Sequence, residues 1–229
     1  MSIEFMGLLG SNGISTHPKA PYPTAKIVVE GDSQTASSSH LGTTSLAALL
    51  DVRVNAKHVL ATIGTSGYRI VEDMLPRAAS SFDVLKSGSV DLNIALLWGG
   101  TNDLAGGRSG TSTWNDGAKV WTQGRLAAGW DWVVLVNCLP RDVTGSFETE
   151  RVIFNSLMAS ECAALGNVIY ADIAGDKTDP SNALGYYFSG SVNAPHNRII
   201  FVDAIHVDDV GKGMVADKIV TSIRPLDVF

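Results

Sequence analysis

Cysteine is scarce in this sequence, with only Cys138 and Cys162 among 229 residues. Neither lies in a CxxC pair or at a spacing from histidine that is typical of a zinc site. This scarcity argues against a disulfide-rich scaffold and against a cysteine-ligated metal centre. We expect two buried free thiols, although the sequence alone also permits a single disulfide.

Charged side chains are also few, at 17% of residues against 45% hydrophobic ones, and the formal net charge is −6. No basic cluster stands out, so neither nucleic acid nor an anionic membrane is expected as a partner. A chain of this length buries a sizeable core without disulfides or metals. We expect one domain over residues 25–229, after an extended arm over 1–24 whose second half is rich in Pro, Ser, Thr and Gly.

Long hydrophobic runs are absent as well. No run approaches the roughly 20 apolar residues of a membrane-spanning helix, so membrane insertion is not expected. Residues 1–15 lack the basic segment and apolar core of a secretory signal peptide. The sequence therefore fits a cytoplasmic protein or a secreted one whose leader has been removed, and it leaves the oligomeric state open.

Five short apolar stretches have the composition of buried β-strands, and they lie at residues 25–31, 57–64, 92–100, 131–140 and 167–174. Stretches of helical periodicity separate them, and residues 209–223 form a last helix. Pro76 should interrupt the helical stretch at 69–86. Strands that alternate with helices predict a five-stranded parallel sheet with right-handed crossovers, in a three-layer α/β/α sandwich.

Polar clusters follow the predicted strands, and in such sheets ligands bind beyond the carboxyl ends of the strands. The clusters are Gly31-Asp32-Ser33, Gly64-Thr65-Ser66-Gly67, Gly99-Gly100-Thr101-Asn102-Asp103 and, near the C-terminus, Asp203-Ala204-Ile205-His206. Together they contain the parts that an acyl-transfer enzyme needs: a nucleophilic hydroxyl, a base, a group that orients the base, and donors for an oxyanion.

Each of these residues also has an ordinary explanation when it is taken alone. Ser33 and Asn102 are common turn residues, Gly67 suits a helix entry, and a lone histidine is usually structural. The DxxH spacing, however, lets one loop present both Asp203 and His206, so that the carboxylate holds the imidazole while its other nitrogen faces Ser33. Four independent turns would rarely place these residue types at successive strand ends.

The order GDS (31–33), a glycine after the second strand, GTND (100–103) and DxxH (203–206) resembles the four conserved blocks of the SGNH (GDSL-like) hydrolase superfamily. The resemblance covers residues 25–220 and implies a flavodoxin-like α/β/α fold. It implies that Ser33 is the nucleophile and that His206 is the base, oriented by Asp203. It also implies an oxyanion hole formed by the N–H groups of Ser33 and Gly67 and the side chain of Asn102.

Two positions depart from the family pattern. Members often have an asparagine before the second-block glycine, where this chain reads ATIGTSG, so we prefer Gly67 over Gly64 as the donor. The leucine that usually follows the histidine is replaced by Val207. The long stretch 174–197 contains Tyr186 and Tyr187, which we expect to form one wall of the substrate pocket; a surface flap that packs its own aromatic side chains is the alternative.

Other signals are discounted. A GxGxxA pattern at 211–216 lies too near the C-terminus for a dinucleotide-binding unit. A metal site is not expected from His196, Asp203, His206, Asp208 and Asp209. The DxxH motif, taken with the GDS and GTND blocks, gives two of them another role, and Asp208 or Asp209 suits a helix N-cap. Trp98, Trp114 and Trp121 fit core positions better than a sugar-stacking surface.

The sequence thus predicts a carboxylic ester hydrolase that needs no metal or cofactor and acts on a small-molecule or carbohydrate ester. By family analogy, a short acyl group such as an O-acetyl group on a carbohydrate is the preferred substrate. Two alternatives remain open: a lipase or thioesterase with the same triad, and a non-catalytic carbohydrate-binding module on the same scaffold.

Overall fold

The computed structural model describes residues 23–36, 44–54, 58–141, 145–175, 203 and 205–226. The predicted arm at 1–24 lies almost wholly outside the described residues. So does nearly all of the 174–197 stretch, including Tyr186 and Tyr187, which were predicted to line the substrate pocket.

The five predicted strands form one parallel sheet, with the order β2-β1-β3-β4-β5. The strands are β1 (Ala25–Gly31), β2 (Val59–Thr62), β3 (Leu92–Trp98), β4 (Trp132–Val136) and β5 (Val168–Ala171). β1 and β3 are interior strands, and β1 pairs with β3 over its whole length. Helices cover both faces of these strands, which is why their sequences are continuously apolar rather than alternating.

Helices flank the sheet on both sides. They are α1 (Leu46–Asp51), α2 (70–85), α3 (Thr101–Ala105), α4 (110–127), α5 (Phe147–Glu161) and α6 (Asp209–Ile223). α1 and α6 pack with one set of strand side chains, and α2, α4 and α5 pack with the other. The predicted three-layer α/β/α sandwich is therefore confirmed, and the short helix α3 is an addition that strand-and-helix periodicity did not predict.

The predicted interruption at Pro76 is visible in α2. Pro76 lies in a single α-helical turn, Leu75–Arg77, between two wider π-helical turns, Ile70–Met74 and Ala78–Phe82. Proline has no N–H to donate to the preceding turn and its ring crowds that turn, so a regular helix cannot run through this position.

The core confirms several predictions made from the sequence. The side chains of Trp98, Trp114 and Trp121 are buried, as expected for core residues rather than a sugar-binding surface. Cys138 and Cys162 are both buried and free, so they form no disulfide. In the described part of the chain, no helix is both long enough and apolar enough to cross a membrane.

The strand order locates the functional edge of the sheet. The chain leaves β1 toward β2 on one side and leaves β3 toward β4 on the other. In parallel α/β sheets this reversal opens a crevice at the carboxyl ends of the two central strands, and ligands bind there. Ser33 follows β1 and Asn102 follows β3, so the topology places both at the rim of this crevice.

Candidate active site

Ser33 lies in a tight turn immediately after β1, and the preceding aspartate organises that turn. The N–H groups of Thr35 and Ala36 donate to the carbonyl oxygen of Asp32 over 3.1 and 3.2 Å. The Asp32 carboxylate accepts the Gln34 N–H over 2.9 Å. These bonds close the chain back on itself after the strand and present the Ser33 side chain at the sheet edge.

Neither Asp32 nor Cys138 is placed to do the chemistry itself. Asp32 is completely buried, and this burial raises the pKa of its carboxyl group to about 7 although the Gln34 N–H lowers it. Burial likewise raises the pKa of the Cys138 thiol to about 12, so this thiol stays protonated and unreactive at neutral pH. Asp32 thus contributes the hydrogen bond that it accepts from Gln34, and Cys138 presents no thiolate at neutral pH.

Gly31 ends β1 where no side chain fits. A Cβ atom there would lie 2.4 Å from the carbonyl oxygen of Trp98 and 2.4 Å from Cγ2 of Thr35. The first contact is with backbone of the paired strand β3, which cannot move aside without disturbing the sheet. Glycine is thus required for Ser33 to follow the strand so closely.

We expect Gly31→Ala to lower the free energy of unfolding by about 1–3 kcal/mol, the usual range for overpacking a buried site. Gly88→Ala is the matched control, because a Cβ atom there meets nothing within 4 Å and the backbone φ is not positive. Chemical denaturation of both variants tests the prediction. A Gly31→Ala protein as stable as the Gly88→Ala protein would contradict it.

Ser33, His206 and Asp203 form a continuous hydrogen-bonded chain. The Ser33 Oγ atom lies 2.9 Å from His206 Nε2, and His206 Nδ1 lies 2.7 Å from Asp203 Oδ2. The other carboxylate oxygen of Asp203 accepts the backbone N–H groups of Ile205 and His206, each over 2.7 Å. The loop therefore holds its own carboxylate in place. The structure brings together the three residues that the GDS and DxxH motifs singled out.

The electrostatics of the loop keep Asp203 ionised. Partial burial works to raise the pKa of Asp203, but the hydrogen bonds from the His206 ring and from the N–H groups of His206 and Ile205 outweigh it and hold the pKa below its usual value. A charged carboxylate beside Nδ1 keeps the proton on that nitrogen. Nε2 is then left as the acceptor that faces the Ser33 hydroxyl.

Gln34 is a site residue that the sequence analysis missed. Its amide nitrogen donates to the carbonyl oxygen of Ile205 over 2.6 Å, and its amide oxygen lies 3.5 Å from the Val207 nitrogen. The side chain therefore bridges the turn that carries Ser33 to the residues on both sides of His206. No signal in the sequence marks this contact, because it joins positions 171 residues apart.

The GTND block supplies one candidate donor and one structural carboxylate. The side-chain amide of Asn102 donates to the carbonyl oxygen of Tyr68 over 3.1 Å, which leaves its second N–H free to point elsewhere. The buried carboxylate of Asp103 accepts the N–H groups of Ile70 and Val71, at 2.8 and 3.4 Å, where α2 begins. Burial raises the pKa of Asp103 although these N–H groups lower it.

The two glycines after β2 differ in how their N–H groups are used. The Gly64 N–H donates to Thr62 Oγ1 over 3.2 Å. The Gly67 N–H donates to no described residue, and Gly67 lies in a turn with φ +83°. The Ser33 N–H also donates to no described residue. At this edge of the sheet, the N–H groups of Gly67 and Ser33 are thus available to donate hydrogen bonds to another group.

Within the described ranges, no three His, Cys, Asp or Glu side chains form a group that would hold a metal ion. Asp208 caps α6, since its side chain accepts the Gly211 N–H over 2.7 Å, as expected from the sequence. His196 lies outside the described residues.

Solved structures share this architecture across nearly their whole length. A member of the lipolytic protein G-D-S-L family from Veillonella parvula superposes with a TM-score of 0.62 at 16% identity, covering 87% of this chain and 98% of that one. A lipase/acylhydrolase from Enterococcus faecalis gives 0.60 at 18% identity, covering 88% and 96%. The esterase EstA from a Pseudoalteromonas species, in a structure inhibited by monoethylphosphonate, gives 0.54 at 14%, covering 87% and 97%.

No protein-family model and no curated protein sequence matches the chain. At these low identities the structural likeness establishes the fold. The flavodoxin-like α/β/α fold that the sequence motifs implied is therefore confirmed as that of the G-D-S-L lipolytic proteins.

Proposed function

We propose that the chain is a serine hydrolase of carboxylic esters and a member of the SGNH superfamily. The observation that carries this proposal is the hydrogen-bonded chain from Asp203 through His206 to Ser33 at the crevice of the sheet. A structural serine needs no histidine–carboxylate pair directed at its hydroxyl. The motif order in the sequence and the fold shared with G-D-S-L lipolytic proteins support the same conclusion.

Acylation begins when the Ser33 Oγ atom attacks the ester carbonyl carbon and His206 Nε2 takes the hydroxyl proton. Asp203 stabilises the resulting imidazolium. The carbonyl oxygen becomes an oxyanion, which meets the N–H groups of Ser33 and Gly67 and the amide of Asn102. When the intermediate collapses, the bond to the alcohol oxygen breaks and His206 returns its proton to the leaving alcohol.

Deacylation repeats these steps with water. His206 removes a proton from a water molecule, whose oxygen attacks the acyl carbon on Ser33. Collapse of the second tetrahedral intermediate releases the carboxylic acid and returns the proton to Ser33. We assign the oxyanion donor to Gly67 rather than Gly64, because the Gly64 N–H already bonds to Thr62 while the Gly67 N–H does not bond within the described chain.

The alcohol part of the substrate is proposed to be a carbohydrate that carries short acyl groups. A polar cleft of about 380 Å³ is lined by Arg69 and Asp103, the sequence neighbours of Tyr68 and Asn102, and also by Glu72, Arg108 and Ser109. Arg69 follows Tyr68, whose carbonyl oxygen binds Asn102. A cleft with so many hydrogen-bonding groups favours a hydroxylated substrate over a long acyl chain.

A serine-reactive phosphonate tests the proposed reaction directly. Mass spectrometry should find the label on Ser33, and Ser33→Ala should take up none. Labelling of an intact protein at no site would instead favour the alternative, a carbohydrate-binding module. A panel of aryl esters of increasing acyl length, acyl thioesters and acetylated polysaccharides then separates the proposed substrate class from a lipase or thioesterase. One of the structural neighbours is named a lipase/acylhydrolase.

We expect Asn102→Ala to lower kcat about a hundredfold or more and to change KM little. The amide is proposed to meet charge that develops only in the transition state, and loss of one such donor costs on the order of 3 kcal/mol. Steady-state kinetics on an aryl acetate, with melting temperatures measured in parallel, provide the test.

Asn93→Ala is the matched control for Asn102→Ala. Asn93 lies on β3, the strand that precedes Asn102, and near its amino end. Its side chain bonds to the backbone of Ser87, at 2.8 and 3.0 Å, and to no other described residue. Its loss should lower the melting temperature and leave kcat unchanged. If Asn102→Ala behaved like this control, the oxyanion role would be wrong.

A further inference from the structure

Arg77 on α2 makes three separate contacts with the segment 63–68, the part of the chain that joins β2 to α2. Its Nη2 atom donates to the carbonyl oxygen of Ile63 over 2.8 Å. Its Nη1 atom lies 3.4 Å from Thr65 Oγ1. Its guanidinium carbon lies 4.4 Å from the ring centre of Tyr68, a cation–π contact. The three contacts are spread along the segment that also carries Gly67.

The same guanidinium is anchored to the strand that carries the nucleophile. Arg77 Nη2 forms an ion pair with Glu30, whose side chain is completely buried on β1 three residues before Ser33. Among side chains, only the planar guanidinium of arginine can donate hydrogen bonds to a carboxylate and to a carbonyl oxygen while its face stacks on an aromatic ring. Arg77 therefore ties the segment 63–68 to the end of β1 through side-chain contacts.

This tie extends to Asn102 through a backbone carbonyl. The Tyr68 ring lies on Arg77, and the Tyr68 carbonyl oxygen accepts a hydrogen bond from the Asn102 side chain over 3.1 Å. A shift of the segment 63–68 would move the Gly67 N–H group and turn the Asn102 amide at the same time. Two of the three proposed oxyanion donors thus depend on the placement of one segment.

We propose that Arg77 is a positioning residue for the oxyanion site: its contacts with Glu30, Ile63, Thr65 and Tyr68 fix the segment 63–68 so that the Gly67 N–H group and the Asn102 amide converge opposite Ser33. The inference rests on the proposed ester hydrolysis. Because misplacement of reacting groups by about 1 Å can cost roughly a hundredfold in rate, such a tie affects catalysis without touching the substrate.

The alternative role for Arg77 is to neutralise the buried Glu30 carboxylate. In that case, replacing Arg77 would lower the stability and leave kcat unchanged. The two roles separate in kinetics when Arg77→Lys is compared with Arg125→Lys. Arg125 is also a buried cation on the same side of the sheet, with its Nε atom 3.0 Å from Asp83 and its guanidinium carbon 5.4 Å from the Trp121 ring centre. Among the described residues, Arg125 forms no hydrogen bond, ion pair or ring contact with the segment 63–68. Both lysine variants keep their positive charge.

The test measures kcat, KM and melting temperature on an aryl acetate for both lysine variants, alone and combined with Asn102→Ala. We expect Arg77→Lys to lower kcat by roughly 10- to 100-fold with KM within about twofold, and Arg125→Lys to lose stability while kcat stays within about twofold. Because Arg77 acts partly through Asn102, we expect its variant to cost clearly less in the Asn102→Ala background.

Any of three results would overturn the inference. The first is a normal kcat in Arg77→Lys, and the second is an equal loss of kcat in Arg125→Lys. The third is a double variant with Asn102→Ala in which the two fold-losses of kcat simply multiply. If Arg77→Lys does not fold, Glu30→Gln takes its place, because glutamine keeps the shape and a hydrogen-bond acceptor but removes the ion pair. We expect Glu30→Gln to lower kcat several-fold. An unchanged kcat in this variant overturns the inference. A wild-type protein that neither hydrolyses esters nor takes up a phosphonate would overturn the proposed function together with the inference. An active wild-type protein whose variants keep a normal kcat would contradict the inference alone.

Discussion

Replacement of Ser33 by alanine is expected to lower ester turnover by roughly four to six orders of magnitude, the range found when a triad nucleophile is removed. The hydroxyl group is the only proposed nucleophile, so the acyl intermediate should not form without it. Residual hydrolysis above the rate in water should persist, because the oxyanion donors still stabilise attack by water itself. The effect is measured as turnover of an aryl acetate, at enzyme concentrations high enough to detect the residual activity.

The fold of the Ser33→Ala protein should be intact. The Ser33 side chain makes one described hydrogen bond, to His206, and the turn around it is closed by Asp32, Thr35 and Ala36 through their backbone atoms. Ser81→Ala on α2 is the matched control, because Ser81 is exposed and lies outside the site. Near-normal turnover in Ser33→Ala, with normal turnover in Ser81→Ala, would show that the nucleophile has been misassigned.

The strands could be predicted because both faces of the sheet are covered. A strand buried on both faces is a continuous apolar run, and β3 was expected at 92–100 and is found at Leu92–Trp98. The two remaining residues of the predicted strand are Gly99 and Gly100, and the polar residues Thr101 and Asn102 that follow them begin α3. β2 is shorter than the predicted 57–64, at Val59–Thr62, although the N–H groups of Ile63 and Thr65 still donate to β1 beyond its end.

The helix α3 could not be predicted by periodicity. It spans only Thr101–Ala105, about one turn, and one turn cannot display a repeating apolar stripe. Gly100, with φ +103°, directs the chain into this helix, a conformation that glycine adopts without strain. The motif GTND therefore indicated which residues gather at the site, whereas the helical turn that presents Asn102 became visible only in the structure.

Buried polar contacts are the larger part of what the sequence does not reveal. Gln34 and Arg77 each join stretches of chain that lie far apart, and each does so through a single polar side chain. In the sequence, a lone polar residue beside an apolar run looks the same whether water solvates its side chain or a distant residue bonds to it. Motif spacing predicted Ser33 and His206 because their chemistry needs fixed partners, but the residues that hold these partners in place follow no fixed spacing.

Asp203→Asn should lower kcat/KM by roughly 10⁴-fold, the loss seen when the orienting carboxylate of a triad is replaced by its amide. The amide cannot stabilise the imidazolium that forms when His206 takes the Ser33 proton. It can also donate a hydrogen bond to Nδ1, which moves the ring proton to Nε2 and leaves no acceptor for the Ser33 hydroxyl. Steady-state kinetics between about pH 5 and 9, the range that spans histidine titration, measure both the rate and its pH dependence.

The sign of the pH shift follows from the charge of Asp203. The base must lose its proton before it can act, so kcat/KM rises with pH along an acid limb. Asp203 stays ionised through this range because its hydrogen bonds hold its pKa low, and a carboxylate beside the ring favours the protonated imidazole. With that charge removed, the residual kcat/KM of Asp203→Asn should show an acid limb at lower pH than that of the wild type.

Asp208→Asn separates this effect from a general loss of negative charge in the loop. Asp208 lies two residues beyond His206 and caps α6, and asparagine caps helices as well as aspartate does. The variant removes the same charge from the same loop without touching the ring, so its rate should stay within about twofold and its acid limb should stay close to that of the wild type, given that exposed charges are screened by solvent. His196→Gln should also keep the limb. If His196→Gln abolished it while His206→Gln retained it, the base would lie in the 174–197 stretch rather than in the DxxH loop.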